Sequence, residues 1–140
     1  MNESVRVVAT TVEGTRAALA AAALLAKGAG ARLVLIVPHI VSSSGDLDIP
    51  PTSTQALADR YRQLAHALGV DIEIQICVSV GFDALMKELC ADRSIVIVGG
   101  PTGRWLTSPE ERFADRLAAA GCQVLFAASG AHTTQRRTAA

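Results

Sequence analysis

Five short runs of Val, Ile and Leu alternate with four helical patterns along this chain, and that alternation limits its fold more than any other feature. Val5 to Ala9, Leu33 to Val37, Ile72 to Val78, Ile95 to Val98 and Val124 to Ala128 are mostly apolar at successive positions, as strands are when both faces of their sheet are covered. The first helical pattern runs from about Thr15 to Lys27 and stops at Gly28-Ala29-Gly30, where glycine accepts the left-handed cap conformation. The second follows Pro50-Pro51-Thr52-Ser53, places Leu57, Tyr61, Leu64 and Leu68 on one face, and ends at Gly69. The third opens at Gly81-Phe82-Asp83 with Asp83 as a candidate cap and packs Leu85, Met86 and Leu89. The fourth begins at Ser108-Pro109-Glu110-Glu111, a capping box with Pro at the first helical position, and runs through Phe113 and Leu117 to Gly121.

The order βαβαβαβαβ with short connections predicts an α/β fold: a three-layer, doubly wound, five-stranded parallel sheet with right-handed crossovers. One domain fits in residues 1–129. Pro38 to Thr54 is its one long polar connection, and 130–140 reads as a disordered tail.

Composition then excludes several functions. With 13 basic and 13 acidic side chains the formal charge is zero, so the chain lacks the cationic surplus from which nucleic-acid binding draws affinity. Ala17 to Ala26, the longest apolar stretch, is far shorter than the ~20 residues of a membrane span, and the N-terminus lacks the basic-then-apolar order of a signal peptide. A cytoplasmic location with no membrane partner is expected. Half the residues are hydrophobic but only 4% aromatic, and 25 are Ala; a core of small side chains lets helices lie close to the sheet. Cys77, Cys90 and Cys122 form no C-x-x-C pair, in keeping with a reducing compartment. Each falls in an apolar pattern, where free Cys behaves as a small hydrophobe, and none has a neighbour that would lower its pKa. His39, His66 and His132 are too dispersed for a metal site.

In such sheets a ligand binds beyond the carboxyl ends of the strands, where strand order reverses. The first loop there, Thr10-Thr11-Val12-Glu13-Gly14-Thr15, has no G-x-G-x-x-G. Thr10 and Thr11 are candidate ligand contacts, with helix capping by Thr11 or Thr15 the plainer reading. The loop after the fourth strand is more informative: Val98-Gly99-Gly100-Pro101-Thr102-Gly103-Arg104. Its glycines let amides turn toward an anion and Arg104 adds charge, but no Gly-Lys-Ser/Thr follows as in a Walker loop. The plain alternative is a tight turn that needs positive φ. No catalytic set is evident. A phosphoaccepting receiver domain is excluded on chemistry, because Thr10-Thr11, Ser79 and Ala128 stand where its acidic residues and lysine belong. Trp105, the only Trp, lies beside Leu106 and reads as loop packing or a dimer contact.

Ile95 to Val98 running into Gly100-x-x-Gly103, then a helix, then Cys122-Gln123-Val124-Leu125-Phe126 as a terminal strand, resembles the universal stress protein family. Val5 to Thr11 is similar to that family's first strand, and Val80-Gly81-Phe82-Asp83 to the start of its third helix. The resemblance covers nearly the whole chain and implies an adenine-nucleotide alpha-hydrolase-like fold. Members that bind ATP carry glycine, two residues, glycine, nine residues, then glycine with Ser or Thr, and an Asp closing the first strand. Gly100 and Gly103 match the first two glycines. Counting nine onward reaches Phe113-Ala114, whereas anchoring on Cys122 reaches Glu110-Glu111, and the Asp position falls on or near Thr11. Neither register supplies glycine and hydroxyl.

A helix N-terminus attracts phosphate through unpaired amides and its positive dipole end, yet Ser108 and Glu111 are placed to satisfy those amides and the carboxylates repel a triphosphate. The expected function is therefore that of a universal stress protein-like, non-enzymatic, stress-associated homodimer with a degenerate nucleotide pocket, acting through protein contacts and needing no cofactor. The alternative is an ATP- or AMP-binding sensor or slow ATP hydrolase using Thr10, Thr11, Gly100, Gly103 and Arg104. The resemblance places Val124 to Ala128 at the sheet edge, where an unpaired strand invites self-pairing across a two-fold axis; the homodimer is expected there.

Overall fold

The computed structural model describes residues 4–41, 51–90, 94–103 and 105–129. The elements run β1 (Ser4–Val8), α1 (Val12–Ala29), β2 (Arg32–Val41), α2 (Pro51–Ala67), β3 (Glu73–Val80), α3 (Phe82–Leu89), β4 (Ile95–Gly100), α4 (Pro109–Ala119) and β5 (Gln123–Ala128). All strand pairs are parallel, in the order β3-β2-β1-β4-β5. This is the doubly wound sheet that the alternation predicts.

Two apolar layers hold it together. On one face Val5, Val7, Leu33, Leu35, Val37 and Ile97 pack with Leu19 and Ala22 of α1 and Tyr61 and Ala65 of α2. On the other, Val34, Ile36, Val96, Val98, Val124 and Phe126 pack with Leu85 and Leu89 of α3 and Leu117 of α4. Alanines on α1, with Ala18 and Ala22 fully buried, bring that helix close to the strands; full burial of a side chain such as Leu19 contributes about 2 kcal/mol.

Local departures from the sequence reading have physical causes. Helix α1 starts at Val12, three residues early, because Thr11 caps it by accepting a hydrogen bond from the Gly14 amide at 3.0 Å. Strand β2 continues through Pro38 to Val41, into the stretch read as a polar connection. Pro38 is tolerated because β1 ends at Val8, opposite Ile36. The Ile36 carbonyl faces β1 and accepts the Ala9 amide, so Pro38, two residues on, turns its missing N–H to a side where no strand follows. Residues 42–50 of that connection and the tail at 130–140 lie outside the described residues. Helix α3 is capped at Gly81, φ 85°, with no side-chain hydrogen bond, so Asp83 sits in the first turn and is not the cap.

The cysteines need a larger correction. Cys77 is free and half-buried, but Cys90 and Cys122 form a disulfide with a Cα–Cα distance of 5.2 Å. Cys90 is the C-cap of α3 and Cys122 precedes β5, and both pack at the margin of the second apolar layer. At a sequence separation of 32, only the crossover topology brings them together.

Candidate functional site

Strand order reverses between β1 and β4, since β1 leads through α1 to one side of the sheet and β4 through α4 to the other. A ligand of such a fold approaches this switch point at the carboxyl ends of the two strands, so the groups there decide what can bind.

On the β1 side they are tied to the protein itself. The Thr10 hydroxyl donates to the Gly99 carbonyl at 2.8 Å, and the Thr10 amide donates to Thr15 Oγ1 at 2.9 Å. Tyr61, 2% exposed, donates its phenol to the Thr10 carbonyl at 3.1 Å. Thr11 is the cap of α1, as the capping reading has it, whereas the fully buried Thr15 lies within the helix and accepts the Thr10 amide. Gly14 and Gly99 are backbone against backbone: a Cβ on Gly14 would lie 2.4 Å from the Gly99 carbonyl oxygen, and one on Gly99 would lie 2.0 Å from the Gly14 oxygen.

The β4 side is closed by α4. A Cβ on Gly100 would meet Glu110 Cβ and Cγ at 2.6 Å, so the Glu110 stem lies directly over that glycine. The expected capping box is present: the Glu111 amide donates to Ser108 Oγ at 3.1 Å, and Glu111 Oε1 accepts the Ser108 amide at 2.9 Å. The same Oε1 also accepts the Gly103 amide at 2.9 Å. One carboxylate thus holds an amide of the glycine loop together with the N-cap amide of α4, two donors of the kind that cradle phosphate in anion-binding loops. Glu13 in the first turn of α1 and Glu110 and Glu111 in that of α4 put acidic charge at both helix ends facing the switch point.

Thr10 therefore meets the Gly99-Gly100 strand end, and Gly103 meets the start of α4. Arg104 lies outside the described residues. Gly99, Gly100 and Gly103 are not among the positive-φ glycines, which are Gly30, Gly69, Gly81 and Gly121. Their lack of a side chain serves close approach rather than an unusual turn. Of the two registers considered for the family's third glycine, Glu110-Glu111 is the pair that folds against Gly100 and Gly103. Trp105 and Leu106 are 91% and 81% exposed, so loop packing does not account for them. Gly14 and Tyr61, which also build the site, were missed; the small residue three places after Thr11 was the available signal for the first, while Tyr61 carries none beyond its helical spacing. Among the described residues no group of three or more His, Cys, Asp or Glu side chains is placed to hold a metal, and no helix is long and apolar enough to cross a membrane.

No family model and no curated protein matches the sequence. Among solved structures the chain is similar to a universal stress protein crystallised in complex with cAMP, at TM-score 0.59 and 19% identity, over 94% of this chain and 98% of that one. The two share a fold.

Proposed function

We propose that this protein is a divergent universal stress protein-like module, non-catalytic, in which an internal carboxylate replaces a bound phosphate and which acts through protein contacts. The observation that carries the reading is Glu111 Oε1 on the amides of Gly103 and Ser108. A phosphate entering that cradle has to displace a carboxylate already held by charge-assisted hydrogen bonds, and it meets Glu110 over Gly100 as it does so. Self-association through β5 belongs to the same proposal, supported by the position of β5 at the end of the sheet. A cytoplasmic location is likewise proposed, supported by the shortness of the longest apolar stretch, Ala17 to Ala26, while the Cys90–Cys122 disulfide removes the support that free cysteines in a reducing compartment would give it.

A second reading, a nucleotide-binding sensor or slow ATP hydrolase, is favoured by the cAMP in the structural neighbour. Purified protein separates the two. Thermal unfolding with ATP, AMP and cAMP added in turn is expected to show no rise in melting temperature, and denatured protein is expected to release no nucleotide. A saturable rise with any of the three, or a released nucleotide, overturns the first reading. Glu111→Ala vacates the cradle, and inorganic phosphate is then expected to raise the melting temperature of the variant more than that of the parent.

A further inference from the structure

The outer edge of β3 differs from an ordinary monomer edge. Ile76, Val78 and Val80 alternate along one face of the strand and are 38%, 65% and 59% exposed. The first apolar layer reaches Ile74 on this face and goes no further along β3. The backbone directs these same residues to the open edge. Val37 pairs in register with Ile76, and because Ile36 faces β1, Val37 faces β3. In a parallel ladder a residue bonds to the neighbours of its register partner, so positions 75 and 77 serve β2, and the N–H and C=O groups of Ile76, Val78 and Val80 point outward.

Edges in monomeric proteins are blunted by Lys, Pro, inward charge or a bulge. From Ile74 to Gly81 the chain has no charged residue and no proline, and β3 pairs with β2 over eight consecutive positions without a bulge. The partner that fits is an extended, neutral strand with alternating apolar side chains, which is a description of β3 itself. A two-fold axis normal to the sheet keeps like faces together. Centred near Cys77, it sets Ile76 against the partner's Val78 and Ile74 against the partner's Val80. Glu73, which already pairs with Arg32 at 2.7 Å, then falls opposite Gly81 and meets no second carboxylate.

We propose that β3 pairs antiparallel with β3 of a second copy of this chain, extending the sheet through an interface lined by Ile76, Val78 and Val80. This goes beyond the functional reading above and does not depend on the nucleotide site. A single strand pair buries less than the roughly 1,600 Å² of a standard stable interface, so the association depends on concentration.

Sedimentation velocity of the full chain over a concentration series tests it, with Val78→Lys and Val80→Lys as edge variants, Val78→Thr as a control that keeps β propensity, and Ala128→Lys to charge the β5 edge. Circular dichroism establishes that each variant is folded. If β3 pairs, the association it carries is lost in both lysine variants at β3, which then go no further than a β5 dimer, and is retained in Val78→Thr and, as a β3 dimer, in Ala128→Lys. In the parent, hydrogen exchange at Ile76, Val78 and Val80 slows as concentration rises, and in Val78→Lys it does not. A parent dimer that survives Val78→Lys and Val80→Lys but is lost in Ala128→Lys overturns the β3 proposal and leaves the β5 one standing. A monomeric parent overturns both.

Discussion

The sheet ends in two strands that the chain treats differently. β5 is covered on both faces: Val124 and Phe126 lie in the layer beneath α3 and α4, and Ala127 and Leu125 in the layer with α1. Its approaches are fastened too, by the Cys90–Cys122 disulfide before it and by the Ser129 amide donating to the Gly100 carbonyl after it, at 2.8 Å. β3 is longer, yet its burial falls away after Ile74 on the face shared with α2, and only Ser79 of its eight residues is buried. The lesson concerns which helices cover which strand. α1 lies over the centre of the sheet and reaches β5, whereas β3 has only its own flanking helices. At the switch point Thr10 is hydrogen-bonded to Gly99 and Glu111 to Gly103 and Ser108, whereas the face of β3 beyond Ile74 is left bare.

The fastening of the β5 half is the side of this contrast that gives the largest effects. Removing the disulfide with paired Cys90→Ser and Cys122→Ser changes is expected to cost about 4 kcal/mol, mainly by releasing a closed loop in the unfolded chain. Chemical denaturation of parent and variant measures it, and a loss below about 1 kcal/mol would mean that the bond does not fasten this half. Next is Gly14→Ala, where the new methyl would lie 2.4 Å from the Gly99 carbonyl and 2.7 Å from Thr10 Oγ1. Backbone on backbone cannot yield cheaply, and a loss of about 3 kcal/mol is expected. Gly28→Ala, whose Cβ meets nothing within 4 Å, serves as the control and is expected to be neutral or slightly stabilising.

Most of the fold was legible because its signals are local. Five apolar runs and four helices follow from periodicity and punctuation, and Ser108-Pro109-Glu110-Glu111 announced its capping box through side chains that act within one turn. Pro38 misled because its cost depends on where a neighbouring strand stops, which no local pattern records. Cys90 and Cys122 misled for the same reason, since their closeness belongs to the topology. At the site, Gly100 and Gly103 are found from spacing, but the alternative of a positive-φ turn does not hold for them: positive φ is a property of one residue, while close approach to Glu110 or Leu106 requires knowing the other element. The bare face of β3 was not visible either. Ile72 to Val78 reads as a strand buried on both sides, and nothing in its sequence says that α2 fails to cover it.

Within the closed half, Ser108→Ala removes the side-chain acceptor of the Glu111 amide and is expected to cost about 1 kcal/mol, as other lost N-caps do. Glu111→Gln keeps the hydrogen-bonding shape while removing the charge. It is expected to be milder in stability and to weaken the exclusion of phosphate less than Glu111→Ala does. If Glu111→Ala leaves phosphate binding unchanged, the carboxylate does not guard the cradle and the closed half is closed by packing alone.

The smallest stability effect is expected at the other edge, and its smallness is what sharpens the contrast. Val78 is 65% exposed and touches neither apolar layer as a buried member, so Val78→Lys gives up little buried area on folding. Lysine is only modestly poorer than valine in a strand. The unfolding free energy of the monomer is expected to move by less than about 0.5 kcal/mol, measured at a protein concentration low enough for association to be absent. At high concentration the parent should gain more apparent stability than Val78→Lys, because pairing of folded chains through β3 draws the equilibrium toward the folded state. A Val78→Lys loss above about 2 kcal/mol at low concentration would place this side chain inside the protein's own packing, and the two edges would then be alike.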